Sequence, residues 1–184
     1  MNVEELDILG AFLLKPELIR DERGFFFRAF CKEELAKNGV IVDEIVQVNR
    51  SFNIAKGTFR GLHYQNPPYA EEKIVACLNG SIADVIVDLR KSSPSFLSHE
   101  IVELSPENQI AVLIPKGCAH GFITLVENTE LLYMHTNSYA PQSESACSIY
   151  DPLLNIKLPI AIKEISERDR IHSFLDKDFK GIRI

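Results

Sequence analysis

Two stretches of sequence decide the fold. The first is Arg60-Gly61-Leu62-His63-Tyr64-Gln65, and the second, further along the chain, is Pro115-Lys116-Gly117-Cys118-Ala119-His120-Gly121-Phe122. Each stretch places a histidine in a short, strand-like run that is rich in glycine and aromatic residues. Two histidines in such runs predict one cavity that is approached from two strands. We expect the chemistry of the protein to lie there.

Short strand-like segments fill most of the remaining chain, and glycine and proline separate them. Residues 81–89 alternate most cleanly, with one apolar face and one face that mixes isoleucine and aspartate, as in the wall of a barrel. Further strands are predicted at 25–30, 45–49, 58–65, 73–78, 100–104, 110–114, 119–125 and 130–136. A short helix is predicted at 31–37, whereas the charged segment 163–170 lacks a strand period and has the character of a solvated loop. The pattern predicts an all-β sandwich or barrel.

Composition limits the class of protein. The 184 residues fit a single domain, 1–184, of which 46% are hydrophobic and 25% charged. No apolar run approaches the ~20 residues that span a bilayer, so we expect no membrane role. The net charge of −6 argues against a nucleic-acid surface but permits a local basic pocket for a small anion.

The N-terminus and the cysteines both indicate the cytoplasm. Residues 1–7 are acidic where a secretory signal would be basic and then apolar. Cys31, Cys77, Cys118 and Cys147 have no C-x-x-C spacing, which favours free thiols over disulfides or zinc ligands.

The spacing around the two histidines resembles the cupin motifs. Pro115-x-Gly117-x-x-His120 matches the second motif, and Gly57 stands before His63 as in the first. The resemblance implies a cupin-type double-stranded β-helix, a jelly-roll barrel with short flanking helices. In metal-binding cupins a His-x-His pair, a Glu and the later His hold the ion, but here Gln65 takes the second place of the pair. Since a neutral amide holds a transition metal far less well than imidazole, we predict no metal and no cofactor.

A narrower resemblance rests on motifs that occur in order along nearly the whole chain. They are Asp21-Glu22-Arg23-Gly24-Phe25-Phe26, Gln47-x-Asn49, residues 60–65, Lys73, residues 84–90, residues 114–122, Tyr133, Glu144 and Asp151-Pro152. Together they are similar to the dTDP-4-dehydrorhamnose 3,5-epimerase family. This resemblance implies an isomerase that inverts C3, C5 or both in a nucleotide-linked 4-keto-6-deoxyhexose without a cofactor.

The resemblance also implies the catalytic residues, and the reaction makes physical sense of them. His63 is the base, because its ordinary pKa near 6.5 suits proton transfer at neutral pH, and Asp169 orients its imidazole. Lys73 holds the enolate oxygen, since a fixed ammonium stabilises charge that appears only as the proton leaves. Tyr133 is the acid on the opposite face, because a phenol keeps its proton at neutral pH.

Substrate contacts follow from the same resemblance. Arg23 and Arg60 match diphosphate contacts, for which guanidinium is well shaped, and Phe26 packs against the nucleotide base. The other implied substrate contacts are Arg28, Gln47, Asn49, His120, Tyr139, Glu144 and Arg168. Family members are homodimers in which N-terminal strands help to build the partner's site, so a homodimer is expected here.

Arg60 and His63 present a geometric difficulty. They are three residues apart, so a regular strand would direct them to opposite faces. A β-bulge at Gly61 would turn both side chains into the cavity.

Three departures from the family pattern concern specificity. Arg28 stands where many members have Glu, residues 149–151 read Ile-Tyr-Asp where Trp-Asn-Asp is usual, and Arg168 replaces a lysine. The proton-transfer residues are unaffected. We therefore predict that epimerase chemistry is retained while the nucleotide or sugar can be non-standard.

Other readings remain open from the sequence. If each residue is considered alone, the alternative is a structural role. His63 would then be a core histidine, Lys73 a solvated lysine, Tyr133 a packed aromatic and Asp169 one charge in a loop. At the level of function, the alternatives are a related 3,4-ketoisomerase or mono-epimerase, a non-catalytic sugar-nucleotide-binding module and a metal-dependent cupin oxygenase.

Overall fold

Two antiparallel β-sheets face each other in the computed structural model, which describes residues 1–184. The first sheet contains, in spatial order, β1 (Asn2–Glu5), β2 (Phe12–Lys15), β10 (Ala111–Ile114), β7 (Lys73–Asn79), β12 (Thr129–His135) and β5 (Gln47–Asn53). The second sheet contains β13 (Glu144–Ala146), β6 (Thr58–Gln65), β11 (Cys118–Thr124), β8 (Ile82–Asp88) and β9 (His99–Leu104), with β14 (Glu164–Ile165) paired in parallel to β6.

The remaining elements are small. A hairpin of β3 (Ile19–Asp21) and β4 (Gly24–Phe26) belongs to neither sheet. The helices are α1 (Lys32–Lys37) and α2 (Glu167–Arg170), and neither is long or apolar enough to cross a membrane. The predicted all-β jelly-roll barrel with short flanking helices is confirmed.

Three apolar clusters hold the sheets in place. The largest lies between them and joins residues of the first sheet, such as Val75 and Leu131, to residues of the second, such as Ile86 and Phe122. The other two cover the outer faces, with the C-terminal tail over the second sheet and α1 over the first. Both faces of β8 are therefore buried, and the two aspartates on its mixed face are paired, Asp84 with His120 and Asp88 with Arg90.

The predicted bulge in β6 is confirmed. His120 pairs with His63 and Phe122 with Arg60, so Gly61 and Leu62 together oppose Gly121. Gly61 has φ +132°, and a Cβ there would lie 2.5 Å from the Cα of Gly121. The close approach of the two strands therefore requires glycine at position 61, and the extra residue turns both Arg60 and His63 into the cavity.

Two local predictions were wrong. The strand expected at 25–30 ends at Phe26, and Phe25 and Phe26 are exposed. The segment 163–170 is not a solvated loop, because it forms β14 and α2. The charged residues of α2 concealed its role, since only Asp169 in this helix is buried.

Candidate active site

A cavity of about 420 Å³ opens between the two sheets and is lined mainly by polar side chains. All but three of the predicted site residues line it. They are Gln47, Asn49, Arg60, His63, Lys73, His120, Tyr133, Tyr139, Glu144, Arg168 and Asp169. The structure thus brings together residues from β5, β6, β7, β11, β12, β13 and α2.

His63 and Asp169 form a hydrogen-bonded pair at the second sheet. Nε2 of His63 lies 2.8 Å from Oδ1 of Asp169, whose side chain is 6% exposed. Because a carboxylate only accepts, Nε2 carries the proton and Nδ1 is left as the basic nitrogen. Burial lowers the pKa of His63, while the hydrogen bond and the charge of Asp169 oppose that shift. The imidazole is therefore neutral, oriented and available as a base near neutral pH.

The C-terminal tail places Asp169 against the base. β14 pairs in parallel with β6 at Thr58 and Phe59, and α2 begins directly afterwards. Ser166 caps this helix, with its hydroxyl accepting from the backbone N–H of Asp169 at 3.0 Å. Burial raises the pKa of Asp169, but the hydrogen bond from His63 outweighs this effect and leaves that pKa below its ordinary value. Asp169 is therefore a fixed anion.

Lys73 lies on the facing sheet and is only 9% exposed, so the reading of a solvated lysine is wrong. Its Nζ is 3.3 Å from Oε1 of Glu71 and donates to the carbonyl of His63 at 3.4 Å. The other oxygen of Glu71 accepts from Nδ1 of His135 at 3.0 Å, and Nε2 of His135 is 3.3 Å from Nδ2 of Asn49. Burial raises the pKa of Glu71, but the bond from His135 and the charge of Lys73 outweigh it, so Glu71 is ionised and orients the ammonium.

Tyr133 lies on the first sheet, across the cavity from the sheet that carries His63. Its hydroxyl is 3.3 Å from Oγ of Ser51, and its ring stacks on His135 with centroids 6.1 Å apart. Burial raises the pKa of Tyr133 well above its ordinary value. The phenol therefore holds its proton until a strongly basic centre takes it.

His120 contacts the ring of Tyr133 edge-on, with centroids 6.2 Å apart. Its Nε2 lies 2.7 Å from Oδ1 of Asp84, and both side chains are buried. Asp84 fixes His120 as Asp169 fixes His63, so β11 and β6 each present an oriented imidazole to one cavity.

At the rim, a chain of polar contacts links four of the predicted substrate residues. The hydroxyl of Tyr139 donates to Glu144 at 2.8 Å, and the guanidinium of Arg168 lies 2.5 Å from the same carboxylate oxygen. The backbone N–H of Tyr139 donates to Gln47 at 3.0 Å. These contacts tie the tail to β13 and β5 beside the entrance.

Arg60 is the cavity arginine without a carboxylate partner. Its Nε donates to the neutral amide oxygen of Asn53 at 2.8 Å. By contrast, Arg50 pairs with Glu130 and Arg168 with Glu144. An uncompensated guanidinium on the wall gives the cavity a site for an anion.

Arg23, Phe26 and Arg28 do not lie in the cavity. Arg23 is exposed and bonds to Asp21 two residues away at 2.6 Å. Phe26 is 67% exposed and lines a separate surface pocket with Arg28, which pairs with Glu34 of α1. Within one chain these three residues are separate from the other predicted contacts.

Gln65 and Asp169 bear on whether the cavity could hold a metal. The amide nitrogen of Gln65 donates to the carbonyls of Tyr69 and Ser138, and its oxygen accepts from the N–H of Ala140, so the side chain is fully used in holding a loop. The only group of three or more histidine, cysteine or carboxylate residues whose ligand atoms all lie within 4.8 Å of one another is His63, Asp169 and His172. In that group both imidazoles are bonded to one oxygen of Asp169.

Sequence reasoning missed several site residues that have a detectable signal. Gln47, Asn49 and Ser51 alternate along β5 and all line the cavity, so the period of two would have found Ser51. The same argument from Tyr133 finds His135. Asp84 lies within a recognised motif, but only the pairing of β8 with β11 reveals its role, because that pairing places His120 opposite Ile86, two residues from Asp84 on the same face. His172 has no such signal, because its position depends on the path of the tail.

The fold and the site together define a cupin-type protein built for acid–base chemistry. The chain belongs to the dTDP-4-dehydrorhamnose 3,5-epimerase family, whose model matches residues 5–177, and it is an isomerase of that family. It is 40% identical to the dTDP-4-dehydrorhamnose 3,5-epimerase of Salmonella typhimurium, with 96% of this chain and 97% of the relative covered.

Two solved structures agree with this assignment. The dTDP-4-dehydrorhamnose 3,5-epimerase of Bacillus anthracis, with TDP and PPi bound, is 40% identical and has a TM-score of 0.91, covering 95% of this chain and 99% of its own. The dTDP-6-deoxy-D-glucose-3,5-epimerase of Legionella pneumophila, in complex with dTDP-4-keto-L-rhamnose, is 34% identical with a TM-score of 0.90, covering 100% and 98%. The predicted family and fold class are confirmed.

Proposed function

We propose that the protein converts dTDP-4-dehydro-6-deoxy-D-glucose to dTDP-4-dehydro-L-rhamnose by inverting C3 and C5. The observation that carries this proposal is the placement of a neutral, carboxylate-oriented imidazole at His63 and a protonated phenol at Tyr133 on facing sheets of one cavity. The nucleotide and the sugar are those bound by the related enzymes described above.

The reaction proceeds by removal and return of a proton at each carbon. The 4-keto group acidifies the hydrogens on C3 and C5, and Nδ1 of His63 takes one of them while the electron pair moves to the keto oxygen. Lys73 donates a charge-assisted hydrogen bond to the resulting enolate. Tyr133 then returns a proton to the opposite face of the carbon. Solvent restores the phenol and removes the proton from His63 before the second inversion.

The diphosphate is bound by Arg60. This guanidinium reaches the cavity through the bulge at Gly61 and has no carboxylate partner to displace. Its charge favours a dianionic linker, and its planar fork matches phosphate oxygens.

The active protein is a homodimer in this proposal. Val48, Phe52 and Ile54 expose 55–75% of their surface on and beside the edge strand β5, and an edge of this kind is normally covered. The β3–β4 hairpin carries Arg23 and Phe26 outside the cavity of its own chain, where they can reach the cavity of a second copy. Light scattering that gives a monomer mass would refute this part of the proposal.

The cytoplasm is the proposed location of this single-domain enzyme. All four cysteines are free, and three of them are buried. Free thiols are typical of proteins in reducing compartments.

Proton NMR in D₂O tests the activity. The purified protein is incubated with dTDP-4-dehydro-6-deoxy-D-glucose, and deuterium incorporation at C3 and C5 is followed together with the coupling constants of the product. Incorporation and inversion at both carbons are expected. Inversion at one carbon identifies a mono-epimerase, a shifted keto group identifies a ketoisomerase, and binding without exchange identifies a binding module, so each of these results overturns the proposal.

A further inference from the structure

His172 lies outside the cavity lining but shares the carboxylate that orients the base. Its Nε2 is 3.2 Å from Oδ1 of Asp169, the same oxygen that accepts from Nε2 of His63 at 2.8 Å. The imidazole of His172 is 14% exposed. Its ring meets that of His63 edge-on, with centroids 5.6 Å apart and an interplanar angle of 89°.

We propose that His172 is a positioning residue for the epimerisation site, which holds Asp169 from outside the cavity and screens the back of the base from water. This inference rests on the proposed function. Asp169 needs such support because it lies on a helix of 4 residues in the C-terminal tail, whereas His63 lies in a strand paired on both sides. Oδ1 is held by two imidazoles, and Oδ2 accepts only from the N–H of Gly61 at 3.4 Å.

The tautomer of His172 follows from this contact. The carboxylate can only accept, so His172 donates through Nε2 just as His63 does. Two donors on one oxygen divide its accepting capacity. The bond that His63 forms with Asp169 is therefore weaker than it would be with an unshared carboxylate.

His172 influences His63 in three ways, and each of them lowers the pKa of His63. Sharing Oδ1 reduces the stabilisation that Asp169 gives to protonated His63, the ring of His172 excludes water from His63, and any charge on His172 repels a second charge nearby. Each favours neutral His63, in agreement with the lowered pKa of His63, for which burial is the main cause and His172 a contributor.

Other charged groups act on the same imidazole. The charge of Lys73 on β7 lowers the pKa of His63, as His172 does, and Asp169 raises it. Glu144 on β13 interacts with His63 and is itself paired with Arg168 on α2. His120 is the cross-strand neighbour of His63 on β11 and is bonded to Asp84. Of these groups only Asp169 contacts His172, so a shift in the pH profile of a His172 variant reports on His172 and on the carboxylate that it shares with His63.

The test compares wild type with His172→Ala in the D₂O exchange assay. We expect kcat to fall about tenfold, within the ~10²-fold that a misplacement of about 1 Å can cost. KM should change little, because His172 does not line the cavity. The acid limb of kcat/KM should move to higher pH, since losing the three effects raises the pKa of His63 and leaves the base protonated over a wider acid range.

Two further variants separate the contributions. His172→Gln keeps a donor that reaches Asp169 and should recover most of kcat, while its acid limb stays between those of wild type and His172→Ala. His172→Phe keeps the ring but loses the donor, so kcat should remain low. Ile171→Ala, at the exposed neighbouring position, is the matched control and should behave as wild type.

The wild-type protein provides a measurement that does not depend on the folding of any variant. Nitrogen-15 NMR of the histidine side chains should find the neutral forms of both His63 and His172 protonated at Nε2. An unprotonated Nε2 on His172, or a kcat and acid limb in His172→Ala equal to those of wild type, overturns the inference. Since wild type is assayed alongside, absence of exchange in wild type refutes the proposed function instead.

Discussion

The cavity between the sheets and the β3–β4 hairpin both carry predicted contacts for one substrate, yet they are built in opposite ways. In the cavity, Asp169 is 5% exposed and bonds to a base that lies 106 residues earlier in the chain. On the hairpin, Phe26 is 67% exposed and Arg23 bonds only to Asp21. One chain is enough to fix the groups that we propose to move protons. The hairpin residues that the resemblance assigns to the substrate gain a fixed place, in our proposal, when a second copy covers them.

The largest expected effect is at the centre of the cavity. His63→Ala should lower kcat at least ~100-fold and abolish deuterium exchange at C3 and C5, because no other group replaces the general base. Rates are measured by NMR in D₂O. His99→Ala, on β9 away from the cavity, is the control, and a His63→Ala protein that exchanges at the wild-type rate would remove the catalytic role from this region.

Tyr133→Phe should separate the two halves of the reaction. Loss of the acid lowers product formation by about 10²-fold, while His63 continues to remove and return protons on its own face. Deuterium should therefore enter the substrate without inversion. If exchange and inversion fall together, the phenol is not the separate acid of the opposite face. Ser51→Ala, which keeps the phenol but removes its hydrogen-bond partner, should have a milder effect of the same kind.

A smaller effect is expected on the hairpin. Phe26→Ala should raise KM about five- to tenfold with little change in kcat, since losing one aromatic contact costs on the order of 1 kcal/mol of binding that is equal in the ground and transition states. Steady-state kinetics with dTDP-linked substrate measures this. Phe25→Ala is the matched control on the same hairpin. An unchanged KM would mean that the hairpin does not reach any cavity.

The barrel that surrounds the cavity and the hairpin also differ in what their ion pairs contribute to stability. Burial raises the pKa of Asp88, but hydrogen bonds from Arg90, Ser93 and Ser95 outweigh this effect and hold that pKa at about 2, below its ordinary 3.8. Because the folded pKa is depressed, this contribution of about 2 kcal/mol is complete above pH 4 and is lost as the pH falls through 2.

Thermal unfolding followed by circular dichroism checks this difference. Asp88→Asn should lower Tm at pH 7 by roughly 4–8 °C and flatten the fall in Tm between pH 4 and pH 2. Asp21→Asn, which breaks the exposed pair with Arg23, should change Tm very little at any pH. A large loss in Asp21→Asn would mean that the hairpin is held more firmly than its exposure indicates.

The strands and the cavity could be predicted from local patterns, because period-two alternation and glycine punctuation act within a few residues. The bulge was predictable for the same reason, since Gly61 alone resolves the conflict between Arg60 and His63. The helix at Asp169 was not, because its four residues are all charged and only docking on β6 buries one of them. The partners of Lys73 and Tyr133 likewise depend on which strands become neighbours. The place of the hairpin residues depends on a second chain in our proposal, so no pattern within one sequence determines it.

The route of the C-terminal tail has a consequence for synthesis of the protein. Every strand of the two main sheets up to Ala146 is synthesised before Asp169, so most of the barrel emerges from the ribosome ahead of the carboxylate that orients its imidazole. A nascent chain therefore lacks an oriented base until the segment that carries Asp169 emerges and settles along β6. Turnover of substrate then reports that this segment has been made and has docked.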